Sequence, residues 1–284
     1  MNFKTRRMIS HLTQLLDIGY ERVGRWSRST VLVTLLLVGA LQNTQAQAGN
    51  LEARDILEDT KLYFTAPVRW DADDWKFFGG SLVAIGVAHE FDEDVRSHFI
   101  DKDHAQAPGE DSESTRDAIP AALLLGGTLT AAWVTGDQGG YTEAWSMAEA
   151  GALSGLTALV MKSAFGRQRP NDTAHVDDWF SGGDSFPSMH TTVAFAIGSV
   201  LAESGSDRYR WVRRLLGYGV AGGTAYLRMR ENVHWMSDTV AGASIGFATA
   251  EFVVNRRQEK KRSGSFQVVP MNDGVMLTYS GTLH

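Results

Sequence analysis

Three short segments between residues 162 and 238 contain cationic, hydroxyl, imidazole and carboxylate side chains that could act together. In chain order, these candidate residues are Lys162, Arg169, Ser188, His190, Arg228, His234 and Asp238. Three converging cations, one compact ammonium and two forked guanidinium groups, suit a phosphate dianion. If folding brings the segments together, they form an anion site that also contains two imidazoles.

The same segments indicate how such a site would react. His234 and Asp238 are four residues apart, so on a helix they would share one face. An aspartate that accepts a hydrogen bond from one ring nitrogen fixes the tautomer and leaves the other nitrogen as a nucleophile. Ser188 and His190 follow Pro187 at the head of an apolar segment, where free backbone N–H groups add anion-binding capacity. Taken singly, each feature is also explained by a helix cap, a surface contact or an arginine at a helix end.

The order and spacing of these residues resemble the three-part signature of the type 2 phosphatidic acid phosphatase superfamily, which is K-x6-RP, PSGH and SR-x5-H-x3-D. Here the signature reads Lys162–x6–Arg169-Pro170, Pro187-Ser188-Met189-His190 and Leu227-Arg228–x5–His234–x3–Asp238. The superfamily includes bacterial non-specific acid phosphatases, lipid phosphate phosphatases and vanadium haloperoxidases. The helices that carry the motifs cover roughly residues 118–253, and a match in all three parts is highly specific.

The resemblance implies a mechanism and a fold. It implies that His234 attacks phosphorus, that Asp238 orients it, and that His190 protonates the leaving oxygen and then activates water. It further implies five phosphate-binding positions, with the backbone N–H acting at the fourth: Lys162, Arg169, Ser188, Met189 and Arg228. No metal and no other cofactor is required for this route. The implied fold is an all-α bundle with the site at one end.

Two positions depart from the signature. Met189 replaces the glycine of PSGH, which makes the pocket more crowded and more apolar, and Leu227 replaces a serine and removes a hydroxyl. Two further cations, Arg167 and Arg230, lie close to matched positions. We expect both outside the site, at the surface or along the approach of the substrate.

Six apolar, small-residue segments provide the elements that must position these residues: Trp75–His89, Ala118–Val134, Ala144–Met161, His190–Glu203, Val212–Met229 and Asp238–Val253. None alternates as a half-buried strand does, and their lengths suit buried helices. The last stretch alternates around Asn272-Asp273-Gly274, which predicts a β-hairpin. The predicted fold class is therefore all-α, a bundle of about six core helices with a short C-terminal β-hairpin.

The N-terminal residues read as an export signal. A basic region precedes the uncharged run Val31–Leu41, and Ala46-Gln47-Ala48 forms a small-x-small cleavage site. We predict a signal peptide over residues 1–48, cleaved after Ala48; the alternative is an uncleaved anchor helix.

The rest of the chain is divided into three parts. Residues 49–117 are expected to form a helical segment and an acidic, solvated loop over 91–117, which lacks the ordered spacing of a calcium loop. Residues 118–256 form the catalytic core, and residues 257–284 a basic linker and hairpin tail. Arginines between the fourth and fifth segments and the basic run after the sixth would lie on one side of a bilayer.

Composition narrows the classes of function. With 27 Lys and Arg against 33 Asp and Glu, the net charge is −6, which argues against a nucleic-acid binder. The chain has no cysteine, so disulfides, thiolate catalysis and cysteine-ligated metal sites are excluded.

The leading hypothesis is a metal-independent phosphatase of the bacterial envelope, with its site facing the periplasm. It would hydrolyse phosphate monoesters or pyrophosphates of a small molecule or, preferentially, a lipid, and both a soluble and a membrane-associated form stay open. A soluble periplasmic acid phosphatase of broad specificity is the second hypothesis. A vanadium haloperoxidase and a catalytically dead envelope scaffold are further alternatives, and the oligomeric state stays open.

Overall fold

The computed structural model describes residues 53–100, 110–205, 209–263, 265–271 and 274–280. Its helices are α1 (Ala53–Phe64), α2 (Ala72–Glu90), α3 (Asp92–Ile100), α4 (Glu110–Thr135), α5 (Gln138–Phe165), α6 (Met189–Glu203), α7 (Arg210–Arg230) and α8 (Met236–Ser263). A 3-10 turn, Ala66–Arg69, joins α1 to α2. The predicted signal peptide over 1–48 lies outside the described residues and stays a prediction.

Helix α6 lies at the centre of the bundle and contacts α4, α5, α7 and α8. Its residues Ala194, Ile197 and Val200 are almost fully buried in the hydrophobic core. On α8, a Cβ at Gly242 would lie 2.8 Å from the Ser188 carbonyl oxygen, and one at Gly246 would lie 2.4 Å from a carbonyl oxygen of α6. Glycine at these two positions therefore allows α8 to pack directly against the backbone of α6.

The directions of four helices place the ends that carry the three motifs next to one another. Gly242 and Gly246 contact successive turns of α6, so α6 and α8 are parallel, whereas Gly151 and Gly155 of α5 contact α6 in the reverse order. Short connections make α7 antiparallel to both α6 and α8. The C-terminal ends of α5 and α7 and the N-terminal ends of α6 and α8 consequently share one end of the bundle, which we call the site end.

The predicted helices are present, and the all-α class is confirmed for the helical part of the chain. The sequence predicts buried helices, but three of them, α2, α4 and α7, have exposed apolar side chains. These side chains are Trp75, Leu82, Val83, Val87, Leu123, Trp133, Val134, Trp211, Leu215 and Leu216. Exposed apolar faces of this kind are typical of surfaces that contact lipid or another protein.

The prediction of a solvated loop over 91–117 is wrong for much of its length. Asp92–Ile100 is helix α3, and α4 already begins at Glu110. Acidic residues in the first turn of a helix are stabilised by its dipole, so an acidic run can start a helix as well as form a loop. Asp92 is only 1% exposed.

The C-terminal segment follows α8, which extends through residue 263 and so includes part of the expected basic linker. The Glu, Lys, Arg and Gln residues there favour helix formation, which explains the extension. Strands β1 (Ser265–Met271) and β2 (Gly274–Ser280) pair antiparallel, with Ser265 opposite Ser280. Residues 272 and 273 lie outside the described ranges, so the hairpin and its turn stay a prediction.

Candidate active site

The candidate residues come together at the site end. Each comes from a helix terminus or a connecting loop: Lys162 from the last turn of α5, Arg169 from the 166–188 loop, Ser188, Met189 and His190 from the start of α6, Arg228 from the last turn of α7, His234 from the 231–235 loop, and Asp238 from the first turn of α8. Gly166 adopts a left-handed conformation with φ of 50° and ends α5, which redirects the chain into the loop that carries Arg169.

The imidazole of His234 lies against the carboxylate of Asp238. His234 Nδ1 is 3.5 Å from Asp238 Oδ2, and both side chains are buried. The same oxygen accepts hydrogen bonds from Ser185 Oγ at 2.5 Å and from the Trp235 backbone N–H at 2.9 Å. His234 precedes α8 by two residues, so these bonds to the loop, rather than a shared helix face, hold the pair. Because Nδ1 faces the carboxylate, Nε2 is the ring nitrogen left for another partner.

Burial and nearby charges favour the neutral form of the His234 imidazole. Burial lowers the pKa of the His234 imidazole well below its ordinary value, and the charges of Lys162, Arg228 and Arg169 lower it further. A neutral imidazole carries the free lone pair that nucleophilic attack needs. The lowered pKa therefore favours the neutral imidazole of His234 at neutral pH.

Two of the three cations are bound to the segment around Asp184. Lys162 Nζ donates to the backbone carbonyl oxygens of Asp184 and Ser185. Arg169 grips the Asp184 carboxylate with two hydrogen bonds of 2.7 and 2.8 Å. Although burial raises the pKa of the Asp184 carboxyl, Arg169 and Lys162 outweigh it and hold that pKa below its usual range. Asp184 is thus an anion already placed between two of the predicted phosphate ligands.

The third cation, Arg228, has an unsatisfied donor. Its Nη1 donates to the buried carboxylate of Asp117, on α4, and lies 3.4 Å from Glu231 Oε2. Its Nε is buried and has no hydrogen-bond partner among the residues that the structure describes. An unpaired buried N–H is costly, and an anion bound beside Arg228 would satisfy it.

The start of α6 supplies backbone donors. Ser188 is buried at the N-cap, yet its hydroxyl makes no capping bond to the helix and accepts one from Thr191 Oγ1 at 3.0 Å. Its backbone N–H donates to the Asp238 carbonyl oxygen at 3.0 Å, which joins α6 to α8. Met189 and His190 follow in the first turn, where N–H groups have no partner within the helix, and both are half-buried. This turn is suited to an anion.

The expectation for Arg167 is wrong. It has no exposed surface, and its Nη1 donates to Asp238 Oδ1 and to Ser237 Oγ, each at 2.7 Å. Its Nη2 donates to Asp92 Oδ2 at 2.8 Å. The loop after α5 turns this side chain inward because two buried carboxylates offset its charge. Arg230, by contrast, is exposed as expected.

The site also contains residues that the sequence did not indicate as candidates. Asp184 and Ser185 lie three and two residues before Pro187, the first residue of the second motif, and that proximity was the available signal. Asp92 was visible only as one member of an acidic run, and Asp117 had no local signal. Within the described ranges, no group of three or more His, Asp and Glu side chains is arranged to hold a metal ion.

Comparison with known proteins shows that part of this chain matches a protein family. Residues 143–262 match the PAP2 superfamily, and all of the candidate residues lie inside this segment. The resemblance seen in the three motifs is therefore confirmed.

One curated relative and one solved structure each resemble part of this chain. Over 100 residues, the chain is 36% identical to the lipid A 1-phosphatase of Porphyromonas gingivalis, a match that includes 35% of this chain and 20% of that protein. The chain thus spans about a fifth of the length of that curated relative. A transmembrane PAP2-type phosphatidylglycerolphosphate phosphatase from Bacillus subtilis superposes with a TM-score of 0.44 and 18% identity, over 66% of this chain and 96% of that one.

Proposed function

We propose that this PAP2-type chain is a metal-independent phosphatase that hydrolyses lipid phosphate monoesters or pyrophosphates through a phosphohistidine on His234. The observation that carries the proposal is the convergence of a neutral, carboxylate-bound His234 with Lys162, Arg169 and Arg228 at one end of the bundle. The buried, unpaired Nε of Arg228 supports an anion as the missing component.

In the first step, His234 Nε2 attacks phosphorus and the bond to the leaving oxygen breaks. His190 donates a proton to that oxygen, so the alcohol or the shorter phosphate leaves neutralised. Asp238 stabilises the positive charge that develops on the imidazole of His234. The product of this step is a phosphohistidine and the dephosphorylated lipid.

In the second step, His190, now neutral, takes a proton from a water molecule that attacks phosphorus. The P–N bond breaks, inorganic phosphate is released, and the electron pair returns to His234 Nε2. Both histidines then have their initial protonation states, and no redox change occurs.

Throughout both steps, the five phosphate-binding positions stabilise the equatorial oxygens of the transition state. Lys162, Arg169 and Arg228 supply charge, while Ser188 and the Met189 N–H supply directed donors. Nε and Nη2 of Arg169 donate to the Asp184 carboxylate, which fixes the orientation of the guanidinium beside the site.

A lipid substrate is supported by the surface of the bundle and by a relative. The relative from Porphyromonas gingivalis is named for dephosphorylating lipid A. Among the described helices, one stretch, Arg116–Thr135 in α4, is long and apolar enough to cross a membrane; its mean hydropathy is 1.5, and only 17% of it is buried. Trp133 and Val134 at its end are each more than 70% exposed. We propose that this face contacts lipid, so that the substrate reaches the site from a membrane.

The predicted export signal over residues 1–48 supports a periplasmic site in the cell envelope, because such a signal carries the residues that follow it across the inner membrane.

The test is phosphate release by the full chain, purified in detergent, with EDTA present. The panel contains p-nitrophenyl phosphate, phosphatidate, lipid A and an undecaprenyl pyrophosphate analogue, each in mixed micelles. We expect release from the lipids by the wild-type chain and a loss of more than about 10⁴-fold in His234→Ala. Acid-labile, base-stable ³²P on the wild-type protein would report the phosphohistidine.

Two results would contradict the proposal. Substantial turnover by His234→Ala would exclude the phosphohistidine mechanism. Absence of release by the wild-type chain on every substrate would exclude the phosphatase activity itself.

A broad-specificity acid phosphatase is the second candidate. The mean hydropathy of −0.18, low for a chain made mostly of membrane helices, favours it. The same panel separates the two: p-nitrophenyl phosphate turned over at least as well as any lipid indicates the broad enzyme.

A further inference from the structure

One buried arginine outside the phosphate-binding set links the carboxylate of Asp238 to a second carboxylate. Arg167 donates from Nη1 to Asp238 Oδ1 at 2.7 Å and from Nη2 to Asp92 Oδ2 at 2.8 Å. All three side chains have no exposed surface. Because one guanidinium carries two acidic partners, each carboxylate is fixed relative to the other.

Asp92 is itself held by the turn that contains Asp238. Its Oδ1 accepts the Ser237 backbone N–H at 2.8 Å, and its Oδ2 accepts Ser237 Oγ at 2.6 Å. On its other side, His89 Nδ1 lies 3.0 Å from Asp92 Oδ2. The first residue of α3 therefore fixes the first turn of α8, immediately beside Asp238.

Aromatic rings and a carbonyl fix the plane of the Arg167 guanidinium. Its Cζ lies 4.4 Å from the ring centre of Trp179 and 5.2 Å from that of Trp235. The Val176 carbonyl oxygen accepts from Nη2 at 2.8 Å. An arginine with this many partners has one available orientation, which a lysine could not reproduce.

We infer that Arg167, held by Asp92, is a positioning residue: by binding Oδ1 of Asp238, it turns Oδ2 toward His234 Nδ1. The inference rests on the proposed function, in which His234 is the nucleophile. Oδ1 and Oδ2 of Asp238 have separate partners, Arg167 for one and Ser185, Trp235 and His234 for the other. Without Arg167, Asp238 would lose the partner that defines its rotation, and two buried carboxylates would repel each other.

The experiment compares Arg167→Gln, Arg167→Lys and Asp92→Asn with the wild-type chain on the lipid phosphate that it hydrolyses best. Arg256→Gln is the matched control, because Arg256 also pairs with an acidic residue, Asp59, at the opposite end of the bundle, at 2.9 Å. For each protein, kcat, KM, the Kd for inorganic phosphate and the midpoint of thermal unfolding are measured.

We expect Arg167→Gln to lower kcat by about 10- to 100-fold, by analogy with the loss of hydrogen-bond partners that orient metal-binding side chains. KM and the Kd for inorganic phosphate should change by less than about threefold, because Lys162, Arg169 and Arg228 remain. Arg167→Lys should recover only part of the lost rate, since one ammonium cannot bind both carboxylates in the same geometry. Asp92→Asn should lower kcat less, and Arg256→Gln should leave it unchanged.

A pH profile supplies a readout that a purely structural role would not change. The charged groups around His234 are Lys162, Arg169, Asp184, Arg228 and Asp238. Loss of Arg167 leaves the charge of Asp238 less compensated, which raises the pKa of His234. The acidic limb of kcat/KM in Arg167→Gln should therefore move to higher pH, and that of Arg256→Gln should not move.

Four results would contradict either the positioning role of Arg167 or the proposed function. Wild-type kcat in Arg167→Gln, or a kcat loss accompanied by equal losses in phosphate affinity and thermal stability, overturns the positioning role. If Arg167→Gln does not fold, an unshifted pH profile with wild-type kcat in both Arg167→Lys and Asp92→Asn overturns it. Absence of turnover by the wild-type chain overturns the proposed function, and the positioning role with it.

Discussion

The two ends of the helical bundle both contain arginine–aspartate pairs, but the pairs differ in burial. At the site end, Arg167, Asp92 and Asp238 have no exposed surface. At the opposite end, Asp59 is buried, whereas its partners Arg256 and Lys260 are 22% and 29% exposed. Water and salt weaken the second set much more than the first.

This difference indicates what each set does. Buried pairs are costly to desolvate and are poor evidence for stability by themselves. They are well suited to holding a reactive group in one geometry, because nothing else can take the place of a missing partner. The opposite end instead joins α1 to α8 through ion pairs whose cations are partly exposed.

The largest effect of a single change at the site end, after loss of His234, is expected for Asp238→Asn. The amide keeps the shape but lacks the charge that stabilises the imidazolium, so kcat should fall by about 10³- to 10⁴-fold. The Kd for inorganic phosphate should change little, because the carboxylate does not bind phosphate. Steady-state kinetics and calorimetric titration with phosphate check both statements, and an unchanged kcat would remove the orienting role of Asp238.

A smaller effect with a distinct pH signature is expected for Arg169→Gln. Because burial and the three cations lower the pKa of His234, the acidic limb of kcat/KM in the wild-type chain should lie below about pH 6.5, the ordinary histidine value. Removal of one cation raises that pKa, so the limb should move to higher pH while kcat/KM at its plateau falls by about 10²- to 10³-fold. A limb that stays in place, or moves to lower pH, would contradict the assignment of the limb to His234.

The smallest effect is expected at the opposite end. Arg256→Gln removes partly exposed ion pairs with Glu58 and Asp59, which at this exposure contribute at most about 1 kcal/mol to the free energy of unfolding. Thermal unfolding at low and high salt should show a small loss of stability that shrinks as salt screens the pairs. A fall in kcat would show that the two ends of the bundle are coupled.

Much of the helical fold could be predicted from the sequence, because each core helix is a continuous run of apolar and small residues between polar boundaries. The segment around α3 could not. Its acidic residues are compatible with a loop or a helix start, and only the burial of Asp92 against Ser237 and Arg167 decides between them. The exposure of α2, α4 and α7 was equally hidden, because composition does not tell which apolar face another helix covers.

The sequence by itself indicated the eight candidate residues and the order in which they occur, because each motif is local and its spacing is tied to a helix end. Only the tertiary structure decided how those residues are supported. Arg167 meets Asp238 and Asp92 across 71 and 75 residues of chain, and Arg228 meets Asp117 across 111. Contacts of that separation leave no periodicity in the sequence, since they depend on which helix ends the packing of α2 to α8 brings together.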